Sequence, residues 1–211
     1  MSPFKSSFHS TSHPCLLFIS ALALLFCILS GCSSSRALSV KYKPLGRPSF
    51  VFPLEQKVVL SLGPVKGDDS QVWYRSKRHT WLLDTVPSTL IYSAISSELK
   101  RMGITIKNNT DRALGRIEIE NRWFGPYGNT PFSAAVILSL AFYPRGASSP
   151  SWRCRLEGGA FGRESVLTDE DRDIVMERVA SEALTNAVRK LGWDQGFIRV
   201  IQDLSLKDSP A

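Results

Sequence analysis

The sequence predicts an α+β fold: a two-layer sandwich in which two amphipathic helices pack on one face of a mixed or mainly antiparallel sheet. Three observations predict it. Two segments repeat apolar residues at helical spacing, several others alternate apolar and polar residues, and the order along the chain is strand, helix, strands, helix. A chain of 211 residues is long enough for one such domain with a substantial core.

The first part of the expected domain predicts extended structure. The run 58–64 is rich in β-branched residues and is expected to stop at Gly63-Pro64. Residues 66–70, which include Asp68 and Asp69, have the composition of a turn. Two short segments, 72–75 and 81–84, are expected to be further strands.

The first helix is expected to begin near Thr85 and to end at Gly103. Pro87 suits its first turn, and Lys100 and Arg101 complement the helix dipole in its last turn. A glycine is common just after a helix. Its predicted buried face consists of apolar residues at i, i+3 and i+4 spacing, namely Leu90, Ile91, Ala94, Ile95, Leu99 and Met102.

The middle of the chain predicts mainly antiparallel strands. After a short strand at 104–106, residues 114–123 alternate apolar and charged side chains, which is typical of a strand with one exposed face. Residues 134–143 are apolar enough for a strand buried on much of both faces. The segment 152–157 alternates again, and Gly158-Gly159 is expected to end or bend that strand.

The last helix has the clearest signals. Thr168 is a candidate N-cap, and acidic residues follow it in the first turn, where negative charge is favoured. Gly192 is expected to end the helix. The predicted buried stripe consists of Ile174, Val175, Val179, Ala183, Ala187, Val188 and Leu191.

The start of the chain is typical of an export signal. The apolar run 15–30 is shorter than the about 20 residues of a membrane span and follows a polar stretch that contains Lys5. It ends in Leu29, Ser30, Gly31 and Cys32, which resemble the lipobox of bacterial lipoproteins. The resemblance implies cleavage after Gly31 and lipid attachment to the Cys32 thiol.

These observations predict the organisation of the whole chain. Residues 1–31 are a removed signal peptide, 32–56 a tether, 57–198 a single α/β periplasmic domain and 199–211 a polar tail. By resemblance to proteobacterial sorting, Ser33 implies the periplasmic face of the outer membrane, if the organism has two membranes.

Charge and cysteine content limit the partners. The formal net charge of +7 favours anionic surfaces such as lipid headgroups or lipopolysaccharide, or simply keeps the domain soluble. Nucleic acid is a poor partner for an exported protein. Of the four cysteines, Cys15 and Cys27 leave with the signal peptide and Cys32 is lipidated, so Cys154 is expected to be a buried free thiol.

No catalytic or metal site is predicted. His79 is the only histidine of the mature chain, and it lies in a basic segment that is expected to be a solvated loop. Glu118 and Glu120 project from one strand face, which leaves a carboxylate-dependent cell-wall hydrolase as an alternative. The flanking Arg116 and Arg122 favour ion pairing instead.

Two glycine-containing segments leave further alternatives. The run 158–162 contains three glycines, but it lacks the Lys-Ser/Thr of a phosphate-binding loop, so a bend is expected. The aromatic segment around Trp123, Phe124 and Tyr127 is either a recognition loop, if it is exposed, or the closure of the sheet edge, if it is buried.

The pattern from residue 55 to 192 resembles envelope lipoproteins of the YajG type and, more distantly, auxiliary lipoproteins of ABC-type lipid transport systems. The resemblance rests on the lipobox, the strand from Val58 to Gly63, the helix end at 96–104 and the strand–turn–strand before the Thr168 helix. It implies a cofactor-free, non-enzymatic protein that binds an envelope protein or anionic lipid. A purely structural envelope lipoprotein is the remaining alternative.

Overall fold

A computed structural model describes residues 34–53, 58–108, 111–128, 130–163 and 168–207. Within these residues the chain forms eight strands, three α-helices and one 3-10 helix. Their bounds are β1 (Ser34–Leu38), β2 (Val59–Gly67), β3 (Val72–Arg75), β4 (His79–Leu83), α1 (Pro87–Arg101), β5 (Thr105–Ile106), β6 (Gly115–Pro126), β7 (Ser133–Pro144), β8 (Trp152–Phe161), α2 (Asp169–Val188), the 3-10 helix (Arg189–Trp193) and α3 (Gln195–Lys207).

Five strands form one mixed sheet in the order β5-β2-β6-β7-β8. The strands β5, β2 and β6 run parallel, whereas β6, β7 and β8 are antiparallel neighbours. Parallel neighbours need a crossover, which α1 supplies, and antiparallel neighbours need only short connections. The predicted α+β class with a mixed sheet is confirmed.

All three helices pack on one face of this sheet. The helix α2 lies against β7 and β8, α1 lies against β2, and α3 contacts β8. Every second residue of β7 faces this layer, because side chains alternate between the two faces of a strand. The buried set is Ala134, Val136, Leu138, Leu140 and Phe142.

The third helix corrects the predicted polar tail at 199–211, since α3 runs into it. Asp194 Oδ1 accepts a hydrogen bond from Phe197 N at 2.7 Å, which caps the first turn. Phe197 and Ile201, four residues apart, are fully buried, and the Phe197 ring centroid lies 4.9 Å from that of Trp152. A narrow apolar stripe among polar residues is therefore enough to hold this helix on the sheet.

A second sheet corrects the predicted tether. It has the order β1-β4-β3, with β1 parallel to β4 and β3 antiparallel to it. Its strand β1 lies within residues 32–56, and three apolar residues of that segment, Leu38, Val40 and Phe52, are buried in the core. From residue 34 onward the described part of the expected tether belongs to the folded domain, because it buries apolar side chains and pairs with β4.

The strand β2 continues past Gly63-Pro64, where the sequence predicted its end. Its neighbour β5 pairs only with Val59 and Leu60, so β5 makes no interstrand hydrogen bonds with β2 at Pro64. The register with β6 also shifts between Leu62 and Val65. A proline is tolerated in a strand at such an irregularity, because no ladder hydrogen bond from its nitrogen is needed.

The predicted cap of α2 is confirmed, and one residue of its predicted stripe is corrected. Thr168 Oγ1 accepts a hydrogen bond from Asp171 N at 3.1 Å, and Asp171 Oδ2 accepts one from Thr168 N at 2.9 Å. Ile174 is 59% exposed, whereas its neighbour Val175 is buried. The other residues of the predicted stripe are buried, and the buried face of α2 also includes Met176, Ala180 and Leu184. None of the described helices is long and apolar enough to cross a bilayer.

Candidate functional site

The N-terminal segment, defined as residues 34–53, runs along α2, and its main-chain amides donate hydrogen bonds to side chains of that helix. An extended chain advances about 6.7 Å over two residues, and an α-helix advances about 6 Å over four residues, so these two distances nearly match. Three alternate amides of the segment therefore reach three side chains one helical turn apart. The pairs are Ser39 N with Glu177 Oε1 at 2.8 Å, Lys41 N with Ser181 Oγ at 3.0 Å and Lys43 N with Thr185 Oγ1 at 3.2 Å.

One carboxylate joins β1, β4 and α2. Asp173 Oδ2 lies 2.5 Å from Arg36 Nη1, and Asp173 Oδ1 accepts a hydrogen bond from Trp81 Nε1 at 2.7 Å. Both oxygens are used, and hydrogen bonds to a charged group are among the stronger ones in proteins. This contact locks the beginning of the N-terminal segment in place.

His79 lies at the start of β4, so its prediction as a solvated loop histidine is wrong. Its side chain is only 20% exposed, and its Nε2 lies 3.3 Å from Asp169 Oδ2. Its Nδ1 lies 2.5 Å from Ser34 Oγ, and its ring packs edge-on against Trp81. Both ring nitrogens have a protein partner, which assigns His79 a structural part between β1 and α2.

A buried cluster holds the next part of the N-terminal segment against α1. Glu98 is 1% exposed, and its Oε2 accepts hydrogen bonds from Tyr42 Oη at 2.5 Å and from Arg101 Nη1 at 2.6 Å. Burial, together with the hydrogen bond to Glu98, raises the pKa of Tyr42. The sequence contains a signal for this cluster in Glu98, because this charged residue lies three residues after Ile95, at a position where the helical spacing of α1 predicts a buried side chain.

The predicted lipidation residue Cys32 and its cleavage motif, Leu29, Ser30 and Gly31, lie outside the described residues. Ser34, two positions after Cys32, is already part of β1, and its amide donates to the Arg78 carbonyl at 3.2 Å. The domain therefore begins almost directly after the predicted lipid attachment point.

The face of the five-stranded sheet opposite the helices, here called the open face, carries paired charges. Glu118 Oε1 lies 2.7 Å from Arg116 Nη2, and Glu118 Oε2 lies 3.6 Å from Lys66 Nζ. Glu120 Oε2 lies 2.8 Å from Arg122 Nη2. The predicted ion pairing is confirmed, and it engages both carboxylates that a hydrolytic site would use.

Exposed aromatic side chains border a groove at one end of the open face. Trp123 is 49% exposed and Tyr127 is 64% exposed. Together with Tyr74 of β3 they line a groove of about 860 Å³, a volume within the range of ligand pockets. Small or aliphatic side chains of β7 and two arginines also line it: Ala135, Ile137, Ser139, Arg122 and Arg155.

Of the three residues of the predicted recognition loop, the structure brings two to this groove. Phe124 lies on the other face of β6 and packs edge-to-face against the buried Trp73, with ring centroids 5.9 Å apart. The register between β6 and β7 shifts between Asn121 and Trp123. This bulge turns Trp123 toward the open face, which a regular alternation after Asn121 would not do.

The glycine pair of β8 neither ends the strand nor forms a loop, since β8 continues to Phe161. A Cβ at Gly158 would overlap the backbone of Ala183 and Ala187 in α2. Gly158 therefore permits close packing of α2 on β8. Because residues 158–161 are part of this strand, the structure contradicts the alternative of a phosphate-binding loop at residues 158–162.

Cys154 is a free thiol, as predicted, but it is half-buried and not fully buried. Burial, helped by the nearby Asp194 carboxylate, raises the pKa of Cys154 to about 12. The thiol is protonated at neutral pH and is a poor nucleophile. In the part of the chain that the structure describes, no three His, Cys, Asp or Glu side chains are placed to hold a metal ion.

Comparison with known proteins identifies the fold. No protein-family model matches the chain, and no curated protein matches it. A crystal structure of protein XCC0632 from Xanthomonas campestris, assigned to family DUF330, is similar with a TM-score of 0.57 at 13% identity, covering 80% of this chain and 98% of that chain. At this identity the similarity shows the fold alone.

Two other solved structures are more weakly similar. The hypothetical protein CT253 from Chlamydia trachomatis has a TM-score of 0.45 at 9% identity, covering 72% of this chain and 99% of that chain. A minor lipoprotein from Acinetobacter baumannii has a TM-score of 0.34 at 10% identity, covering 66% of this chain and 95% of that chain.

Proposed function

We propose that this chain is a membrane-anchored lipoprotein that binds an envelope partner on its open face and catalyses no reaction. The observation that carries the proposal is the groove lined by Tyr74, Trp123 and Tyr127. Aromatic residues and arginines are enriched at binding surfaces, and none of the described helices covers this face. Binding there leaves the core on the helix side undisturbed.

The anchor is supported by the sequence from Leu29 to Cys32. Two or more acyl chains attach a protein stably, whereas one gives only marginal binding. The serine at position 33 favours the outer membrane in an organism with two membranes, so the domain would lie in the periplasm.

The anchor is tested by replacing the predicted lipidation residue. Cys32→Ala should abolish incorporation of radiolabelled palmitate and move the protein out of the membrane fraction. Cys154→Ala is the matched control, because it removes the only cysteine within the described residues and should leave labelling unchanged. Undiminished labelling of the Cys32→Ala protein would refute the anchor.

Partner binding is tested by photocrosslinking in intact cells. A photoreactive aromatic amino acid at Trp123 should give a discrete crosslinked species. The same amino acid at Ile174 is the control, because Ile174 is also a large exposed hydrophobic residue, 59% exposed, but lies on α2. Equal crosslinking at both positions, or none at Trp123, contradicts binding in the groove.

The finer proposal is an auxiliary role in lipid or lipopolysaccharide transport, which the resemblance to auxiliary lipoproteins favours. Mass spectrometry of the Trp123 adduct decides it. A transport component or a lipid supports the role. An adduct containing only abundant structural envelope proteins favours the purely structural alternative and contradicts transport.

The absence of catalysis is supported by the ion pairs of Glu118 and Glu120, which leave neither carboxylate unpaired. The purified protein should release no product from cell-wall material. Product release that is abolished by Glu118→Gln or Glu120→Gln would overturn this part of the proposal.

A further inference from the structure

Several chain segments meet at one end of the molecule, here called the anchor-proximal end. Ser34 pairs with His79 in the second sheet, and His79 contacts Asp169 at the start of α2. At the same end, Pro126 of β6 pairs with Ala134, and Ser133 pairs with Phe161 at the end of β8. The β3–β4 turn at 75–79 joins this group, because Trp73 of β3 packs on Phe124 of β6.

The predicted anchor is close to this end. Consecutive residues span at most about 3.6 Å each, so Cys32 lies within roughly 7 Å of Ser34 along the chain. Ser34 is held by its amide bond to Arg78, and Arg36 is held by Asp173. Only Ser33 separates the predicted lipid-bearing residue from the described domain, so acyl chains on Cys32 would bring this end to the headgroups.

The β3–β4 turn has the charge that such a position requires. Arg75, Lys77 and Arg78 are exposed, and none of them has an ion-pair partner within the described residues. The acidic side chains nearby are largely engaged. Asp169 contacts Arg36, Arg172 and His79. Asp173 contacts Arg36 and Trp81, and Asp171 caps α2. The remaining acidic residue at the start of this helix, Glu170, is exposed.

Exposed aromatic rings complement these cations. Tyr127 and Phe161 are both 64% exposed and lie at the same end, in the loop after β6 and at the end of β8. Aromatic side chains favour the interface between water and hydrocarbon, and clustered cations favour anionic headgroups. The opposite end of the sheet is about 40 Å away, since β7 has 12 residues at about 3.3 Å each.

We infer that the anchor-proximal end is a second membrane contact, in which Arg75 and Arg78 of the β3–β4 turn bind anionic phospholipid headgroups and hold the domain upright on the bilayer. The inference rests on the proposed acylation of Cys32 and goes beyond it. It assigns the domain one orientation, with the Ala147 turn farthest from the membrane and the groove beside the headgroups.

The test measures the orientation of the full acylated protein in vesicles. A single thiol is introduced by Lys77→Cys or Ala147→Cys in a Cys154→Ala background and is labelled with a fluorophore. Vesicles of phosphatidylcholine and phosphatidylglycerol carry a nitroxide quencher in the headgroup region. We expect the label at position 77 to be quenched at least about threefold more strongly than the label at 147, because the anionic surface attracts the cationic turn and holds the label near the quencher.

Charge variants test the chemistry of the contact. Arg75→Glu with Arg78→Glu should remove most of the quenching at position 77, as should vesicles of phosphatidylcholine alone. Arg189→Glu with Lys190→Glu is the matched control: these two residues are also exposed cations close together in the sequence, but they lie beyond the far end of α2. This control pair should leave the quenching unchanged.

The outcomes separate the inference from the proposed function. Protein that is palmitate-labelled and vesicle-bound but equally quenched at 77 and 147 has a freely tumbling domain, which overturns the inference and leaves the anchor intact. Equal effects of the two charge pairs overturn headgroup binding by the turn. Protein without lipid label that does not float with the vesicles refutes the anchor and the inference together.

Discussion

The two faces of the five-stranded sheet follow different physical rules although the same strands form both. On the helix side, alternate residues of β7 are apolar and buried. On the open face, the same strands carry Ser139 and the exposed pair Arg155–Glu157, whose Nε and Oε1 atoms lie 2.5 Å apart. The helix side is constrained by close packing, and the open face by solvation and charge. Close packing on the helix side therefore contributes most to stability, and the proposed binding groove lies on the opposite face.

Gly158 and Gly159 provide the sharpest contrast between the faces. Gly158→Val should destabilise the fold by more than about 4 kcal/mol, because its side chain would meet the backbone of α2, which cannot move aside locally. At Gly159 the nearest atom to an added Cβ is Ala134 O at 3.7 Å, an ordinary contact. Gly159→Val should therefore remain folded.

Urea unfolding followed by circular dichroism compares the two glycine variants. Equal midpoints for Gly158→Val and Gly159→Val would contradict the proposed difference between the faces.

Leu138 and Ile137 test the same contrast by removing volume. Leu138 is fully buried under the helices, so Leu138→Ala should cost about 3 kcal/mol of unfolding free energy. Ile137 is half-buried on the open face, and Ile137→Ala should cost less than about 1.5 kcal/mol. Chemical denaturation of both variants gives the comparison. A larger loss at Ile137 would mean that the open face is covered in solution.

Cys154, which lies on the helix side of the sheet, makes the free energy of unfolding depend on pH. Its pKa is raised from 9.0 to about 12, so the unfolded chain loses the thiol proton at a lower pH than the folded chain. The resulting stabilisation is complete below pH 9.0 and is lost as the pH rises toward about 12.

Unfolding titrations of wild type and Cys154→Ala across this range isolate the effect. The raised pKa of Tyr42 acts in the same direction in both proteins and cancels in the difference. Identical pH slopes for the two proteins would show that the thiol is solvated.

The smallest effect is expected on the open face at Glu118. Its ion pairs are partly exposed, so Glu118→Gln should change the unfolding free energy by less than about 0.5 kcal/mol and should lose even this at high salt. The same substitution at the buried Glu98 is the contrast and should cost about 3 kcal/mol, because Arg101 loses its charged partner. Thermal melts at two salt concentrations measure both, and a large loss at Glu118 would give that pair a structural role.

Local patterns predicted most elements because their signals lie within a few residues. The helical spacing placed α1, and Thr168 with its acidic neighbours placed the start of α2. The N-terminal segment was missed, although Leu38, Val40 and Tyr42 alternate with polar residues as in a strand. Its amides bond to side chains about 140 positions away, for example Lys41 N to Ser181 Oγ, and no local pattern encodes such a partner.

The candidate site was predicted only in part for a similar reason. Aromatic and Gly/Pro composition pointed to the segment 123–127, and Trp123 and Tyr127 do line the groove. Which ring faces outward depends on the register shift after Asn121, and that shift belongs to the pairing of β6 with β7. Tyr74, on the other sheet, reaches the groove only through the packing of β3.

By itself, the sequence determined the α+β class, the spacing of the two main helices and the charged face of β6, and it carries the resemblance to a lipobox at Cys32, because each depends on neighbouring residues. The tertiary structure decided that the described part of the expected tether belongs to the folded domain, that α3 joins the helix layer, and that the cationic turn shares one end of the molecule with Ser34. Those features depend on contacts between distant segments, and such contacts form only when the apolar faces pack together.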